Sequence, residues 1–393
     1  MDILVVTWNF PPRRGGMEQL LGSLCDELSK HHRLFIITAY ANHLCPRETG
    51  IFRPSWPGLF AFFSYALWKG AVLLRSHRDI RVVFGGSVLV TPLVCVLARL
   101  FHRRAIIQAH GLDILYPSFV YQTFIVRWLR FCDHVIANSR YTAALAKDKG
   151  ASQKSITIIH PGVHWQRFAL STSMDALKLE RGLQGKKIIL FVGRLARRKG
   201  VKEFIEKSLV HIIQEIPNGR FLIVGDNPKD SLTHREDVRS EIEQAISAHH
   251  LEEHVQWLGA LSDDDLIKVY NLCDLMVLPI LKMKDDVEGF GIVALEAAAA
   301  GKPVVAMSVG GVPDAVEDGK SGVVVAPDHY ELMSQSIIRL LSGNEISSAI
   351  GEYAQRRVKE KFCWNSTIAC YETTLSHRLE MNDYKCVSAR VDD

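Results

Sequence analysis

The chain has 393 residues, 48% hydrophobic and 23% charged, with 27 Gly, 14 Pro and a net charge of +4; at roughly 150 residues per domain this is two or three ordinary globular domains, which excludes collagen, a coiled coil and a low-complexity chain. The charge is unevenly spread: residues 1–185 carry 22 Lys and Arg against 11 Asp and Glu, and the remainder 25 against 32. A basic first half suits phosphate or anionic lipid, but it lacks the clustered stripe and interleaved aromatics of a nucleic-acid groove, so no nucleic acid is expected as a partner.

Met1-Asp2 leads straight into Ile3–Val6 without a basic leader or a small-residue cleavage site, so the chain is expected to open on a strand. Strands are predicted at 3–7, 34–39, 81–84, 105–109, 134–138 and 156–160, and helices between them at 16–29, 59–75, 88–101, 119–131 and 141–149. After Pro161-Gly162-Val163 the rhythm lapses until Lys186, which reads as the linker. It then resumes, with strands at 188–192, 220–224, 255–258, 275–279, 303–306 and 323–325, and helices at 201–215, 236–249, 263–272, 291–300 and 330–342. A helical segment at 345–380 closes the chain. Strand–helix alternation at this spacing predicts an α/β protein with two Rossmann-like, doubly wound domains facing a cleft, here 1–180 and 186–362, with 363–393 a last helix and polar tail. The longest nearly uncharged stretch, 59–74, is 16 residues and contains Lys69, too short for the roughly 20 residues of a spanning helix. Eight cysteines without a C-x-x-C pair signal neither a zinc site nor a disulfide framework, and a reducing cytoplasm fits them.

Ligands of such sheets sit beyond the carboxyl ends of the strands, so the informative motifs are those in strand-to-helix loops. Glu288-Gly-Phe-Gly-Ile-Val-Ala-Leu-Glu296 follows a buried strand and runs into an Ala-rich helix that Gly301 and Pro303 end. The backbone N–H groups of Phe290, Gly291 and Ile292 would start that helix, where the dipole favours a phosphate. Gly193-Arg194-Leu-Ala-Arg-Arg-Lys199-Gly200 lies in the corresponding loop after the first strand of the second domain. Arg197 and Arg198 read as solvated charges of a basic loop. In the first domain, Pro11-Pro12-Arg13-Arg14-Gly15-Gly16 joins strand to helix, either as a plain tight turn or to let backbone approach a bound group. His110-Gly-Leu-Asp113 follows another strand; a lone His there is usually structural, and Asp113 can cap the next helix. Asp263-Asp264-Asp265 contains a literal D-x-D, which helix capping after Ser262 explains better than a metal, so no metal is expected.

The Glu288…Glu296 spacing, with Arg194 and Lys199, resembles the retaining glycosyltransferases of family 4, which have the glycosyltransferase-B fold. The resemblance implies that Glu288 lies by the donor sugar and Glu296 on the nucleotide ribose. Arg194 and Lys199 would hold the donor diphosphate and stabilise it as it leaves, Gly15 and Gly16 would form the glycine-rich first loop, and His110 would touch the transferred sugar. It covers 186–330 most closely and 1–180 more loosely; Asn227 stands in Val224-Gly-Asp-Asn-Pro228 where the family often has Gly. The function so implied is metal-independent transfer of a hexose from a nucleotide diphosphate sugar, with no cofactor, to a lipid-linked or oligosaccharide acceptor. The Pro-Pro-Arg-Arg-Gly-Gly opening resembles that of some bacterial mannosyltransferases acting on glycolipids, a resemblance that tilts the donor toward GDP-mannose. A nucleotide-sugar epimerase of the same fold and a non-catalytic binding module remain as alternatives; a dehydrogenase would need a G-x-G-x-x-G after a first strand, and neither domain has one. Residues 56–75, rich in Phe, Trp and Tyr beside Lys69 and Arg75, read either as an interfacial helix at anionic lipid or as a core helix on the first sheet.

Overall fold

A computed structural model describes residues 1–13, 15–41, 50–170, 174–227 and 237–376. The chain divides into two compact units, Met1–Gly162 with the helix Trp364–Ser376, and Val163–Cys363. Each is built on one all-parallel sheet. The first contains β1 (Asp2–Val6), β2 (Arg33–Ile37), β3 (Ile51–Phe52), β4 (Ile80–Gly85), β5 (Arg104–Ala109), β6 (His134–Ala137) and β7 (Ile156–Ile158), in the order β3-β2-β1-β4-β5-β6-β7. The second contains β8 (Lys187–Val192), β9 (Gly219–Val224), β10 (Val255–Gly259), β11 (Leu275–Leu278), β12 (Val304–Met307) and β13 (Gly322–Val325), in the order β10-β9-β8-β11-β12-β13. The order reverses once in each sheet, between β1 and β4 and between β8 and β11. At such a switch point the loops leaving neighbouring strands diverge and open a crevice for ligand.

Central strands are Val/Ile/Leu runs buried on both faces, as helices on both sides of a parallel sheet require. The helix Gly16–Ser29 forms where predicted and buries Leu20, Leu21, Leu24 and Leu28 along one stripe. Several elements differ from the sequence reading. β3 pairs only two residues with the edge of β2, too few for alternation to register. The predicted helix at 201–215 contains a widened π turn, Ile205–Leu209, in which Ser208 Oγ donates to the Tyr330 carbonyl at 3.0 Å. The region 119–131 is an α-helix, Phe119–Phe124, followed by a 3-10 segment, Val126–Phe131. The closing segment is two helices, Asn344–Lys361 and Trp364–Ser376. They break where the Phe362 carbonyl accepts from Val163 N at 2.7 Å instead of continuing a helical ladder; 377–380 lie outside the described residues. The stretch read as a linker carries a 3-10 turn, Trp165–Phe168, and a helix, Met174–Glu180. Val163, Phe168 and Leu183 belong to the second core, so the second unit begins at Val163 rather than at 186.

Candidate functional site

In the second unit, two loops flank the β8/β11 switch point, and the backbone pins them together. The loop after β8 ends in a 3-10 turn, Arg197–Lys199, closed by Gly200 at φ +66. A Cβ on Gly200 would lie 1.9 Å from the Pro279 carbonyl oxygen, so only glycine lets this loop meet the one after β11. Leu281 N donates to the Arg198 carbonyl across the same junction at 2.8 Å. Glu288 is fixed from the other side: its carbonyl accepts from Gly311 N at 2.9 Å, and Gly310, at φ +60, passes so close that a Cβ would meet that carbonyl at 2.2 Å.

These contacts bring four charged side chains together. Glu288 Oε2 accepts from Lys199 Nζ at 2.6 Å and from Arg198 Nη1 at 2.5 Å, while Arg198 Nε pairs with Asp286 Oδ1 at 2.9 Å. The side chains of Arg198, Lys199, Asp286 and Glu288 are only 7, 8, 12 and 14% exposed, so solvent does little to screen them. Burial alone would raise the Glu288 pKa, but the charges and hydrogen bonds of Lys199 and Arg198 outweigh it and hold the carboxyl down to about 2. Burial pulls the Lys199 ammonium below its usual range; Glu288 opposes that shift, and Arg198 and Arg194 add to it. Arg198 is thus a buried member of the cluster and not a solvated loop charge. Arg197 is exposed, as expected, and so is Arg194, whose side chain makes no hydrogen bond or ion pair among the described residues.

Beyond Glu288 the chain turns through Phe290, which is buried, and Gly291, the left-handed residue that starts the helix Ile292–Ala299. The amides of Gly291 and Ile292 have no protein acceptor among the described residues, which leaves them for an anion where the helix dipole is positive. One turn on, Glu296 Oε2 accepts from the Tyr270 hydroxyl at 2.6 Å. Burial raises the Glu296 pKa; Tyr270 opposes the shift, Asp263 adds to it and Arg167 counters it. Glu288 and Glu296 therefore do not pair: one is committed to cations and the other to a phenol. The acidic run sits in the first turn of the helix Asp263–Leu272, with Asp265 held by Ser262 and Lys268. Asp263 and Asp264 face Arg167 at 3.8 and 3.5 Å. Among the described residues no group of three or more His, Cys, Asp or Glu could hold a metal ion.

The first unit places its predicted residues in the loops after β1 and β5. His110, 5% exposed, follows β5, and its Nε2 lies 3.0 Å from the Gly86 carbonyl at the end of β4. A carbonyl only accepts, so Nε2 is the donor of this contact and Nδ1 is the ring nitrogen not used in it. Asp113 does not cap its own short helix; it accepts from His110 N at 2.9 Å and from Val88 N at 3.0 Å, tying the loops after β4 and β5. Gly15 is extended and precedes the helix Gly16–Ser29; a Cβ there would lie 2.3 Å from Glu18 Oε2, while Gly16 faces open space. Glu18 also accepts from Asn9 Nδ2 at 2.8 Å, so a carboxylate of the chain covers the Gly15 turn. Arg14 and Pro228 lie outside the described residues.

The helix Leu59–Ser76 packs one face on the first core and leaves the other exposed. Phe62, Ala66, Gly70, Leu73 and Leu74 face the core, while Phe60 and Trp68 are 87 and 61% exposed. Sequence reasoning missed the next apolar surface, Phe119, Val120 and Phe124 on the helix Phe119–Phe124, exposed by 83, 63 and 61%. It also missed Asp286 and Tyr270. The consecutive charges at 284–286 were a signal for the first; for Tyr270, on a helix remote in sequence, there was none.

Known proteins resemble this chain in sequence and fold. The family model described as glycosyl transferases group 1 matches residues 176–357, and that described as glycosyltransferase family 4 matches residues 14–167. The GDP-mannose-dependent alpha-(1-6)-phosphatidylinositol monomannoside mannosyltransferase of Mycolicibacterium smegmatis is 27% identical over 403 residues, covering 96% of this chain and 99% of that protein. A glycosyltransferase of Methanocaldococcus jannaschii is 30% identical over 388 residues, covering 93% of this chain and 95% of its own. Among solved structures, Anabaena HepE in complex with UDP superposes with a TM-score of 0.79 at 22% identity, over 96% of this chain and 100% of that one.

Proposed function

From the premise that the chain belongs to the glycosyltransferases, with the glycosyltransferase-B fold, we propose that it is a retaining, metal-independent hexosyltransferase that takes mannose from GDP-mannose and passes it to a hydroxyl of a glycolipid. The observation that carries this reading is the Lys199–Glu288 pair at the β8/β11 switch point, beside two helix-start amides without an acceptor. The donor diphosphate would rest on the Gly291 and Ile292 amides, with Arg194 and Lys199 stabilising the charge that grows on it as the sugar leaves. Phe290 lies in the turn that shapes that helix start, and its buried ring packs 6.1 Å from Phe362. Glu288 would orient the sugar through its hydroxyls, Glu296 would receive the ribose, and His110 would offer Nδ1 to the transferred sugar. Retention is supported by the engagement of Glu288 with Lys199 and Arg198, which commits it to cations rather than to the role of base at the acceptor hydroxyl that inversion would need. Two cations and helix amides supply the electrostatic role that a metal would otherwise take, and no cofactor is called for.

The activity of the Mycolicibacterium smegmatis relative supports a glycolipid acceptor and GDP-mannose as donor. Among the described residues no helix is long and apolar enough to cross a membrane. The exposed aromatics of 56–75, with those of Phe119–Phe124, support contact with an anionic lipid surface instead. The reading is tested by incubating the protein with GDP-mannose or UDP-glucose, with and without vesicles containing phosphatidylinositol mannoside, in the presence of EDTA. Lipid-dependent release of GDP with an α-linked product is expected. Product from the donor alone would identify an epimerase, a β-linked product would remove the retaining assignment, and a requirement for added metal would remove metal independence.

A further inference from the structure

Arg198 has no role in the scheme above, yet it is as buried as Lys199. Its guanidinium spans two carboxylates, Asp286 through Nε and Glu288 through Nη1. The oxygen it takes on Glu288 is the one Lys199 also holds. Two cations therefore compete for a single oxygen, and they differ in what they can do next. Arg198 is anchored at both ends and buried, so it cannot leave without abandoning two carboxylates. Lys199 is a point charge on a flexible stem with a second anion, the diphosphate, to serve.

We propose that Arg198 is a positioning residue which keeps Glu288 in place and so releases Lys199 to the donor diphosphate. The proposal rests on the assignment of Lys199 to the diphosphate. Without Arg198, Lys199 is the only cation directly on a buried carboxylate, and leaving such a carboxylate unpaired is costly. Lys199 then stays on Glu288, and the diphosphate loses a partner that Arg198 never touches. Arg198→Gln should accordingly weaken binding of GDP and UDP by about tenfold, the loss of roughly one charge-assisted contact. The discriminating feature is the sign of a second change: Glu288→Gln removes the carboxylate that traps Lys199, so Arg198→Gln/Glu288→Gln should recover most of that affinity. A merely structural Arg198 predicts the opposite, a double variant no better than the single one.

The experiment is calorimetric titration of the full chain with GDP and with UDP, for the wild type, Arg198→Gln, the double variant, Arg198→Lys, Lys199→Ala and Arg197→Gln. Arg197→Gln, at the exposed neighbour, should bind as the wild type does. Unchanged affinity in Arg198→Gln, or no recovery in the double variant, overturns the proposal. Unchanged affinity in Lys199→Ala overturns the assignment of the diphosphate site instead. Should Arg198→Gln fail to fold by circular dichroism, Arg198→Lys carries the test. It keeps a charge on one carboxylate but cannot span two, so it must bind diphosphate more weakly than the wild type and recover when Glu288→Gln is added; wild-type affinity or no recovery overturns the proposal.

Discussion

The two units share a sheet order and a switch point, yet the chemistry placed there differs. At the ends of β8 and β11 sit four charged groups and two helix-start amides; at the ends of β1, β4 and β5 sit a buried histidine, a backbone carbonyl and a glycine turn covered by Glu18. Topology therefore supplies an address, and the loop residues decide what is received there. A diphosphate needs fixed positive charge in a weakly screening site. A sugar or an acceptor hydroxyl needs a directional acceptor, which an imidazole with one nitrogen committed can provide.

The contrast breaks most sharply at Lys199. Lys199→Ala should lower kcat by about 10²–10³-fold, the range seen when one preorganised group on a developing negative charge is removed, whereas Glu296→Ala should chiefly raise the donor KM. Steady-state kinetics with varied GDP-mannose separates the two, and equal losses of kcat in both would show that the loops do not divide the work this way.

The next effect is on stability and is sharpest in acid. Glu288 titrates at about 2 in the folded chain, against an ordinary 4.5. A depressed carboxylate stabilises the fold above its ordinary pKa, and that contribution disappears as pH falls through the folded value. Denaturant unfolding of the wild type and Glu288→Gln should therefore differ by a constant amount above pH 5, with the gap closing toward pH 2. A gap independent of pH would mean that the carboxylate is not held as an ion.

How much of this could be read beforehand follows from what sequence records. Strand–helix alternation and loop glycines are local, so both sheets, nearly every helix and the Glu288–Glu296 turn were legible. Arg198 was misread because two adjacent arginines in a basic loop look alike: nothing local says that one turns outward while the other meets Asp286 and Glu288, 88 and 90 residues later. Val163–Phe168 was read as linker for the same reason, since its packing partner, Tyr270, lies on a distant helix. The break at Phe362 depends on a hydrogen bond from Val163, a pairing the periodicity of 345–380 cannot encode. Long-range pairing of polar groups is what the local pattern leaves out.

In the first unit the expected effects are smaller. His110→Ala should reduce kcat/KM for transfer by about tenfold, the worth of one hydrogen bond to a neutral group, while GDP affinity should stay as in the wild type if the nucleotide binds the other unit as proposed. His110→Asn, with a side-chain oxygen to replace Nδ1 as acceptor, should restore part of the loss. If both variants weaken GDP binding as well, the division between a donor-binding unit and a sugar-facing unit is wrong.

The smallest effect lies on the outer surface of that unit, where membrane contact would be spread over many weak insertions. Trp68→Glu and Phe119→Glu change residues that are 61 and 83% exposed, so neither should alter the melting temperature or GDP binding. Each should weaken binding to vesicles rich in phosphatidylinositol by a few-fold, because an apolar side chain leaves the interface and a charge of the lipid's own sign replaces it. The double variant should lose more than either single one, and the loss should be larger at low salt, where the charge term is less screened. Vesicle binding unchanged in the double variant would leave the basic excess of the first half without a lipid surface to meet, and the acceptor would have to reach this unit from solution.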